Sequence, residues 1–421
     1  MEEQPDLSAV THVAVGLSVV FLTGIDRLLP ARSVLVLDEP DTLRARRGRE
    51  RTAHLACLAG ILEAPTQDER RAERLSGLLP RPDRLRAVVP LLEYGVVAAA
   101  ALAEAWRVPG AGIPAARLLR DKALLRERAA AGGIDQPEWE VVSGSDGIER
   151  FRERYGRRCV VKPANRQASV GVRLVGATDD AAEVWAATTA ADEPRQRAGY
   201  ALPPKYLVEQ RLDGPEYSVE ALVADGTLEF ANVTAKSVRH GPSPVEAGHV
   251  VPADLPEAPA EELIAATRRL VEVTGFRTGV VHAEWIRFGG RPHLVECAGR
   301  LPGDAIVQLI DLSRPCDLTG EYLRVLEGGR PSVPASPKGA AAIRFLTAPT
   351  GRVSAVDGLE RARLAPGVVE GDVSVAVGSE TGTVTNSWER SGHVIATGET
   401  PGQADRRARA AAELIRITTE Q

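Results

Sequence analysis

The sequence predicts a chain of several packed units, α/β and α+β in class, opening with an open parallel α/β unit. Three observations carry this. At 421 residues the chain exceeds what one hydrophobic core usually holds. Its first hundred residues alternate short apolar runs with helical periodicity, as an open parallel sheet requires. Further on, several short runs alternate apolar and polar residues with a period of two, the pattern of antiparallel strands. Breaker clusters at 109–114 and 331–337 help to divide the chain, giving expected units of 1–112, 113–208, 209–333 and 334–421.

Residues 13–37 read as β-rich apolar runs separated by Gly24 and Pro30, ending at Asp38-Glu39-Pro40 in a strand-then-turn signature. Helical periodicity follows over 70–79 and 93–106. No Gly-x-Gly-x-x-Gly accompanies this unit, so no dinucleotide site is assigned to it. Residues 115–131 read as one helix ended by Gly132-Gly133, followed by short strands over 139–142 and 159–162. The next helix, 179–190, begins with an Asp-rich cap. Alternating runs at 206–209, 217–223 and 228–234 are strands, and 280–288 with 293–297 flank Gly289-Gly290-Arg291, a hairpin signal. After the proline-rich linker come a β-rich unit over 341–397 and a closing helix over 403–417.

Composition excludes several classes. Charged residues at 26% and a net charge of -5 are ordinary for a globular chain, and the basic residues are scattered among acids. Even the dense run 44–51 has no aromatic-rich basic stripe beside it, so no nucleic-acid partner is expected. The most apolar early stretch, 13–22, is too short to cross a bilayer and follows acidic residues, so neither a membrane span nor a signal peptide is expected. Cys57, Cys159, Cys297 and Cys316 form no CxxC pair, which argues against zinc and disulfides and for a reducing cytoplasm. Of 52 basic residues only five are lysine, namely Lys122, Lys162, Lys205, Lys236 and Lys338. A lysine kept in so arginine-rich a chain points to places that need a compact ammonium, such as phosphate oxygens.

Phosphoryl transfer needs cations around the phosphates, hard oxygen ligands for a metal, and a loop that excludes water. Lys122 follows Asp121 on a helix, and Lys162 ends a strand stopped by Pro163. The following segment, 164–172, contains Asn165, Ser169 and Gly171 and is small and polar enough for its amides to cover phosphates, although a plain turn between strands reads the same. Glu209 ends a strand and Glu216 begins the next, placing both to accept hydrogen bonds from an adenine amino group and ribose hydroxyls; two surface glutamates on a hairpin is the competing reading. Glu284 and Glu296 fall near the ends of two strands joined by a tight turn, so the pair can ligate magnesium side by side. Unpaired acids inside apolar strands are costly, which favours a cation partner. Arg300 then lies where it can neutralise charge on a phosphorylated oxygen.

In this order the parts resemble the ATP-grasp superfamily: helix lysine, strand Lys-Pro, Gly-containing loop, Val208-Glu209-Gln210 hinge, Gly214-Pro215-Glu216, and paired glutamates ending in Glu296-x-x-x-Arg300. The resemblance implies an ATP-grasp fold binding ATP with Mg2+, or Mn2+ in its place. Lys122 and Lys162 would contact the phosphates with the Ser169 and Gly171 loop above them. Glu209, Gln210 and the backbone near Leu212 would read adenine, Glu216 the ribose, and Lys236 the terminal phosphate, while Glu284 and Glu296 would bind metal. Within the superfamily the chain looks most like the L-amino acid ligase branch of carboxylate-amine ligases. The marks are Glu93-Tyr94-Gly95, Arg120-Asp121-Lys122, Val245 to His249, Arg300-Leu301-Pro302-Gly303-Asp304, and the stretch from Arg344 to Ala396. That branch implies a substrate pocket at Glu246, His249 and Gly303, with His249 alternatively a capped surface histidine before Pro252. Ala298 departs from the pattern, because most ATP-grasp enzymes carry asparagine there.

The expected activity is ADP-forming ligation of a carboxylate to an amine through an acyl phosphate, with Lys236 and Arg300 as the catalytic cations. Transfer of the acyl phosphate to a non-amine nucleophile, and a non-catalytic ATP sensor, are the alternatives. Small-molecule carboxylate and amine substrates are the expected partners, and a homodimer is the assembly considered.

Overall fold

In the computed structural model, which describes residues 5–199, 204–239 and 241–420, four sheets organise the chain. The first is parallel, in the order β3-β2-β1-β4, from β1 (His12–Val15), β2 (Val34–Asp38), β3 (Leu58–Glu63) and β4 (Ala87–Pro90). Parallel neighbours need a crossover, and here the helix Val19–Asp26 supplies it, burying Leu22 and Ile25. The apolar run through Gly24, expected as strand, is this helix. The helix expected over 70–79 is only a 3-10 segment, Ala72–Gly77, whose apolar Ala72 and Leu75 suit a single i,i+3 face.

A second sheet is antiparallel, in the order β5-β8-β6-β7, from β5 (Trp139–Val142), β6 (Cys159–Pro163), β7 (Arg173–Val175) and β8 (Tyr206–Gln210). The helices Ser145–Tyr155 and Ala181–Ala190 cover it through Ile148, Phe151 and Ala181. Since β8 pairs along its length with both β5 and β6, a boundary at 208 falls inside a strand, and this sheet closes at Gln210. Leading into it, the single helix expected over 115–131 is two, Ile113–Arg120 and Lys122–Ala131. Asp121 breaks the run with φ -122 and ψ 107, and its carboxylate caps the second helix by accepting from the amides of Ala123 (2.9 Å) and Leu124 (3.3 Å).

The third sheet has eight strands, all antiparallel to their neighbours. It comprises β9 (Glu216–Ala224), β10 (Thr227–Val238), β11 (Glu246–Val251), β12 (Gly279–Phe288), β13 (Arg291–Ala298) and β14 (Ala340–Leu346), with β16 (Val368–Val373) and β18 (Gly392–Gly398). Their order is β13-β12-β9-β10-β11-β14-β18-β16, so the sheet runs through the boundary expected near 334. A small fourth sheet joins β15 (Gly351–Asp357) to β17 (Glu380–Thr381) and β19 (Arg416–Glu420). The closing helix, Pro401–Glu413, therefore stops short of 417, because 416–420 alternates between exposed and half-buried residues as an edge strand does. One core cluster joins Leu22 and Val36 of the first unit to Val280, Leu309 and Ile343, which fixes the parallel sheet against the large one. Among the described residues no helix is long and apolar enough to cross a membrane.

Candidate active site

A cavity of about 1640 Å³ opens between the second sheet, the large sheet and the first unit. Every site residue expected from sequence lines it except Gly171. Gly171 has φ +74, and a Cβ there would lie 3.0 Å from both Pro163 Cγ and the Thr188 carbonyl oxygen. It shapes the loop after β6 and does not face the cavity. The rest of that loop does: Ala168 and Ser169 take left-handed φ values of 54 and 59, Ser169 Oγ donates to the Pro244 carbonyl (2.9 Å), and the Ser387 amide donates to the Ala168 carbonyl (3.0 Å). Non-glycine residues hold such angles only where their surroundings fix them, and here two distant segments do so.

Lysines and glutamates pair across the cavity. Lys122 Nζ lies 2.8 Å from Glu296 Oε2 and donates to the Arg166 carbonyl at 2.8 Å. Lys236 pairs with Glu284 and, at 3.5 Å, with Glu246. Burial would lower the Lys236 pKa, but Glu284, Glu246 and Glu216 outweigh it and hold the ammonium well above its usual range. Glu284 is pushed upward by burial yet held far below the carboxylate range by Lys236 and His282. For Glu216 burial prevails: with repulsion from Glu284 and Glu246 working against Lys236, its carboxyl is pushed up to about 7.

Glu209 is held by two cations at the cavity wall. It is buried, so it is not a surface hairpin residue, but Arg126 Nε and Nη2 each donate to one of its oxygens at 3.0 Å and Lys162 Nζ lies 2.7 Å away. Burial opposes ionisation, but Arg126 and Lys162 bring its pKa down to about 2. Oε1 takes Arg126 alone, so the carboxylate keeps acceptor capacity beside these two cations. Arg126 also donates to the Leu294 carbonyl (2.7 Å), tying the helix that carries Lys122 to β13.

Glu284 and Glu296 stand directly opposite each other on β12 and β13, as the hairpin signal implied. Ala298 faces His282 two pairs further along. Among the described residues no group of three or more His, Cys, Asp or Glu side chains is arranged to hold a metal. Two facing carboxylates do fit magnesium, which commonly takes one or two from protein and completes its six oxygens from phosphate and water. Behind Glu284 runs a buried relay: His282 Nε2 is 3.1 Å from Glu284 Oε1, and His282 Nδ1 is 3.0 Å from Glu220 Oε1. Glu220 in turn accepts from Ser218, Asn232 and Thr234.

Arg300 donates from Nε to Glu93 Oε2 (2.8 Å) and from Nη1 to the Leu301 carbonyl (2.9 Å), and Glu93 also accepts from Arg120 Nη1 (3.1 Å). His249 is 1% exposed, so the surface reading fails. Its Nε2 is 3.2 Å from Asp304 Oδ2. Both Asp304 oxygens accept from Arg390, whose guanidinium stacks 3.6 Å from the centre of the Phe345 ring. Glu246 accepts from Ser387 Oγ at 2.8 Å.

Sequence reading missed Arg126, His282, Ser387 and Arg390 as site residues, and left Glu93 without a role. Arg126 had a usable signal, since it lies four residues after Lys122 and shares its helix face. Arg390 had none, lying 86 residues from Asp304 in sequence.

A family model of the ATP-grasp domain matches residues 155–308, and one of the L-amino acid ligase C-terminal domain 2 matches residues 344–420. An uncharacterized protein of Sinorhizobium fredii is 28% identical over 302 residues, 70% of this chain and 60% of its own length. The alanine–anticapsin ligase of Bacillus subtilis is 25% identical over 245 residues, 52% of this chain and 49% of its own. The chain thus spans about half to three fifths of these relatives. The fold matches the crystal structure of the L-amino acid ligase from Bacillus licheniformis with a TM-score of 0.78 at 17% identity, covering 100% of both chains. It also matches carboxyaminoimidazole ribonucleotide synthase of Aspergillus clavatus complexed with ATP, with a TM-score of 0.70 at 16% identity, covering 96% of this chain and 98% of that one.

Proposed function

Within the ATP-grasp superfamily, to which this chain belongs, we propose that it is an ADP-forming carboxylate–amine ligase. The observation that carries the reading is the set Lys122, Lys236, Glu284, Glu296 and Arg300 around one cavity, two lysines paired with two carboxylates beside a guanidinium. That charge set complements a triphosphate with a divalent cation, and adenine binding alone would not need it. The names of an alanine–anticapsin ligase and an L-amino acid ligase among the relatives support amino acids as substrates.

A substrate carboxylate oxygen attacks the γ-phosphorus of ATP, the bond to the β-γ bridging oxygen breaks, and ADP leaves an acyl phosphate. The amine then attacks the acyl carbon, loses a proton, and expels inorganic phosphate as the amide forms. Lys236 and Arg300 stabilise charge on the transferring oxygens. Magnesium held by Glu284 and Glu296 would supply further charge neutralisation to the phosphates. Lys122 and Lys162 orient the phosphates under the loop carrying Ser169, which excludes water from the acyl phosphate. Adenine is read by Glu209, Gln210 and the backbone near Leu212, Glu216 takes the ribose, and Glu246, His249 and Gly303 face the organic substrates.

The test is a screen of amino acids and small carboxylates in pairs for phosphate release, with mass detection of the product. ADP and phosphate should appear only when both substrates are present. AMP and pyrophosphate as products, or full turnover by Glu296→Gln, would contradict the proposal.

A further inference from the structure

The cavity, at about 1640 Å³, exceeds the roughly 300–1,000 Å³ common for a single-ligand site, as a site for a nucleotide and two reactants would. One part of its wall, here called the arm, comes from the first unit and the helix Ile306–Ser313. The arm's apolar walls include Phe21, Leu92 and Val307, and its polar lining includes Arg27, Arg46 and Arg51. These three arginines differ from the others around the cavity that anchor the site. Arg126, Arg300 and Arg390 are all engaged by carboxylates, and Arg47, beside Arg46, is forked onto Glu50 at 2.7 and 2.6 Å. Among the described residues, Arg27, Arg46 and Arg51 make no ion pair and no side-chain hydrogen bond.

Arg46 is the most constrained of them. Its Nη1 is shut off from solvent without a hydrogen-bond partner, a costly state for a charged donor that calls for an explanation. Burial and the nearby Arg51 lower its pKa, opposed by Asp38. Asp38 does not supply the missing bond, because its oxygens already accept from the amides of Leu17 and Glu39, at 2.8 Å each, and from the Thr42 hydroxyl. Asp311, on the cavity wall, accepts from the Leu318 amide at 2.8 Å, and burial pushes its pKa up to about 6 with Arg27 working against it. The arm therefore presents apolar walls and guanidinium groups that no carboxylate contacts directly, although Asp38 acts on Arg46 and Arg27 on Asp311 through space.

We propose that this arm binds the far end of one of the two organic substrates, and that this end carries an anionic oxygen group, a carboxylate or a phosphate. The inference deepens the ligase reading and rests on it for the word substrate. The recognition chemistry is its own: guanidinium groups bind both anions with planar, charge-assisted hydrogen bonds, and the arm's apolar walls suit the carbon skeleton leading to them.

Binding can be measured apart from turnover. Inorganic phosphate and succinate are titrated calorimetrically into the full chain without nucleotide, for the wild type, Arg46→Gln and Arg51→Gln. At least one probe should bind, and each substitution should weaken it about tenfold or more, the range for losing a hydrogen bond to a charged group. Preference for phosphate assigns a phosphorylated substrate, and preference for succinate assigns a second carboxylate. Absence of binding by both probes, or equal affinity in all three proteins, would overturn the proposal. Arg51 is exposed, so its substitution keeps the test valid if Arg46→Gln fails to fold. Should no substrate pair release phosphate while the probe still binds through Arg46, the ligase reading falls and the anion site remains.

Discussion

Glu216 lies among like charges, and its position gives a pH dependence with a definite sign. Its folded pKa of about 7 stands above the ordinary 4.5, so the folded state holds this proton more tightly than the unfolded one. The associated stabilisation is full below 4.5 and is lost as pH rises through about 7. Glu216→Gln should therefore melt higher than wild type at about pH 8 and close to it at about pH 5. A gap that is the same at both pH values would contradict the titration assigned to Glu216. Arg300 gives a second expectation. Its planar guanidinium holds Glu93 through Nε and the Leu301 carbonyl through Nη1 while lining the cavity, which a lysine ammonium cannot reproduce, so Arg300→Lys should lose about 10²–10³ in turnover, nearly as much as Arg300→Ala. Steady-state rates of the two variants decide it. At this scale the lysines were legible because the chain keeps so few of them, and Glu284 with Glu296 because a tight hairpin fixes their register. The Arg300 partner Glu93, 207 residues away, was not, since nothing in a local pattern reports which distant carboxylate a fold brings to an arginine.

The break at Asp121 shows how an element places a functional group. A periodic apolar pattern ran across 115–131, and periodicity alone does not reveal that one residue leaves helical geometry to cap the turn that follows. The same limit made the eight-residue helix Val19–Asp26 read as strand, because a short apolar run fits either structure and only the parallel pairing of β1 and β2 decides. Because Asp121 caps the helix that begins with Lys122, and also pairs with Lys205, Asp121→Ala should cost about 1 kcal/mol or somewhat more. Faster amide exchange at Ala123 and Leu124 should accompany it, with weaker nucleotide binding as the first turn carrying Lys122 frays. Unchanged exchange at those two amides would show that the cap does not hold this turn.

Across the whole molecule, the eight-stranded sheet makes the last unit part of the site. β14 pairs with β11 so that Ile343 lies opposite His249, and Ile343 and Ile395 belong to the core shared with the first unit. From beyond this sheet junction Ser387 reaches both Glu246 and the Ala168 carbonyl, while Arg390 engages Asp304. A linker is readable as proline-rich sequence, but whether a sheet continues past it depends on pairing between strands about ninety residues apart, as β11 and β14 are. Ending the chain at 333 would strip β11 of its neighbour and expose an apolar edge, a template for association. The shortened chain should therefore elute as large aggregates in gel filtration. By contrast, full-length Arg390→Ala should remain monodisperse, keep its nucleotide affinity, and show a raised KM for one organic substrate, because it frees Asp304 and His249 while leaving Lys122, Lys162 and Lys236 in place. A compact, monodisperse 1–333 chain with full turnover would show that the last unit only decorates the sheet, and the assignment of Ser387 and Arg390 to the substrate side would fall with it.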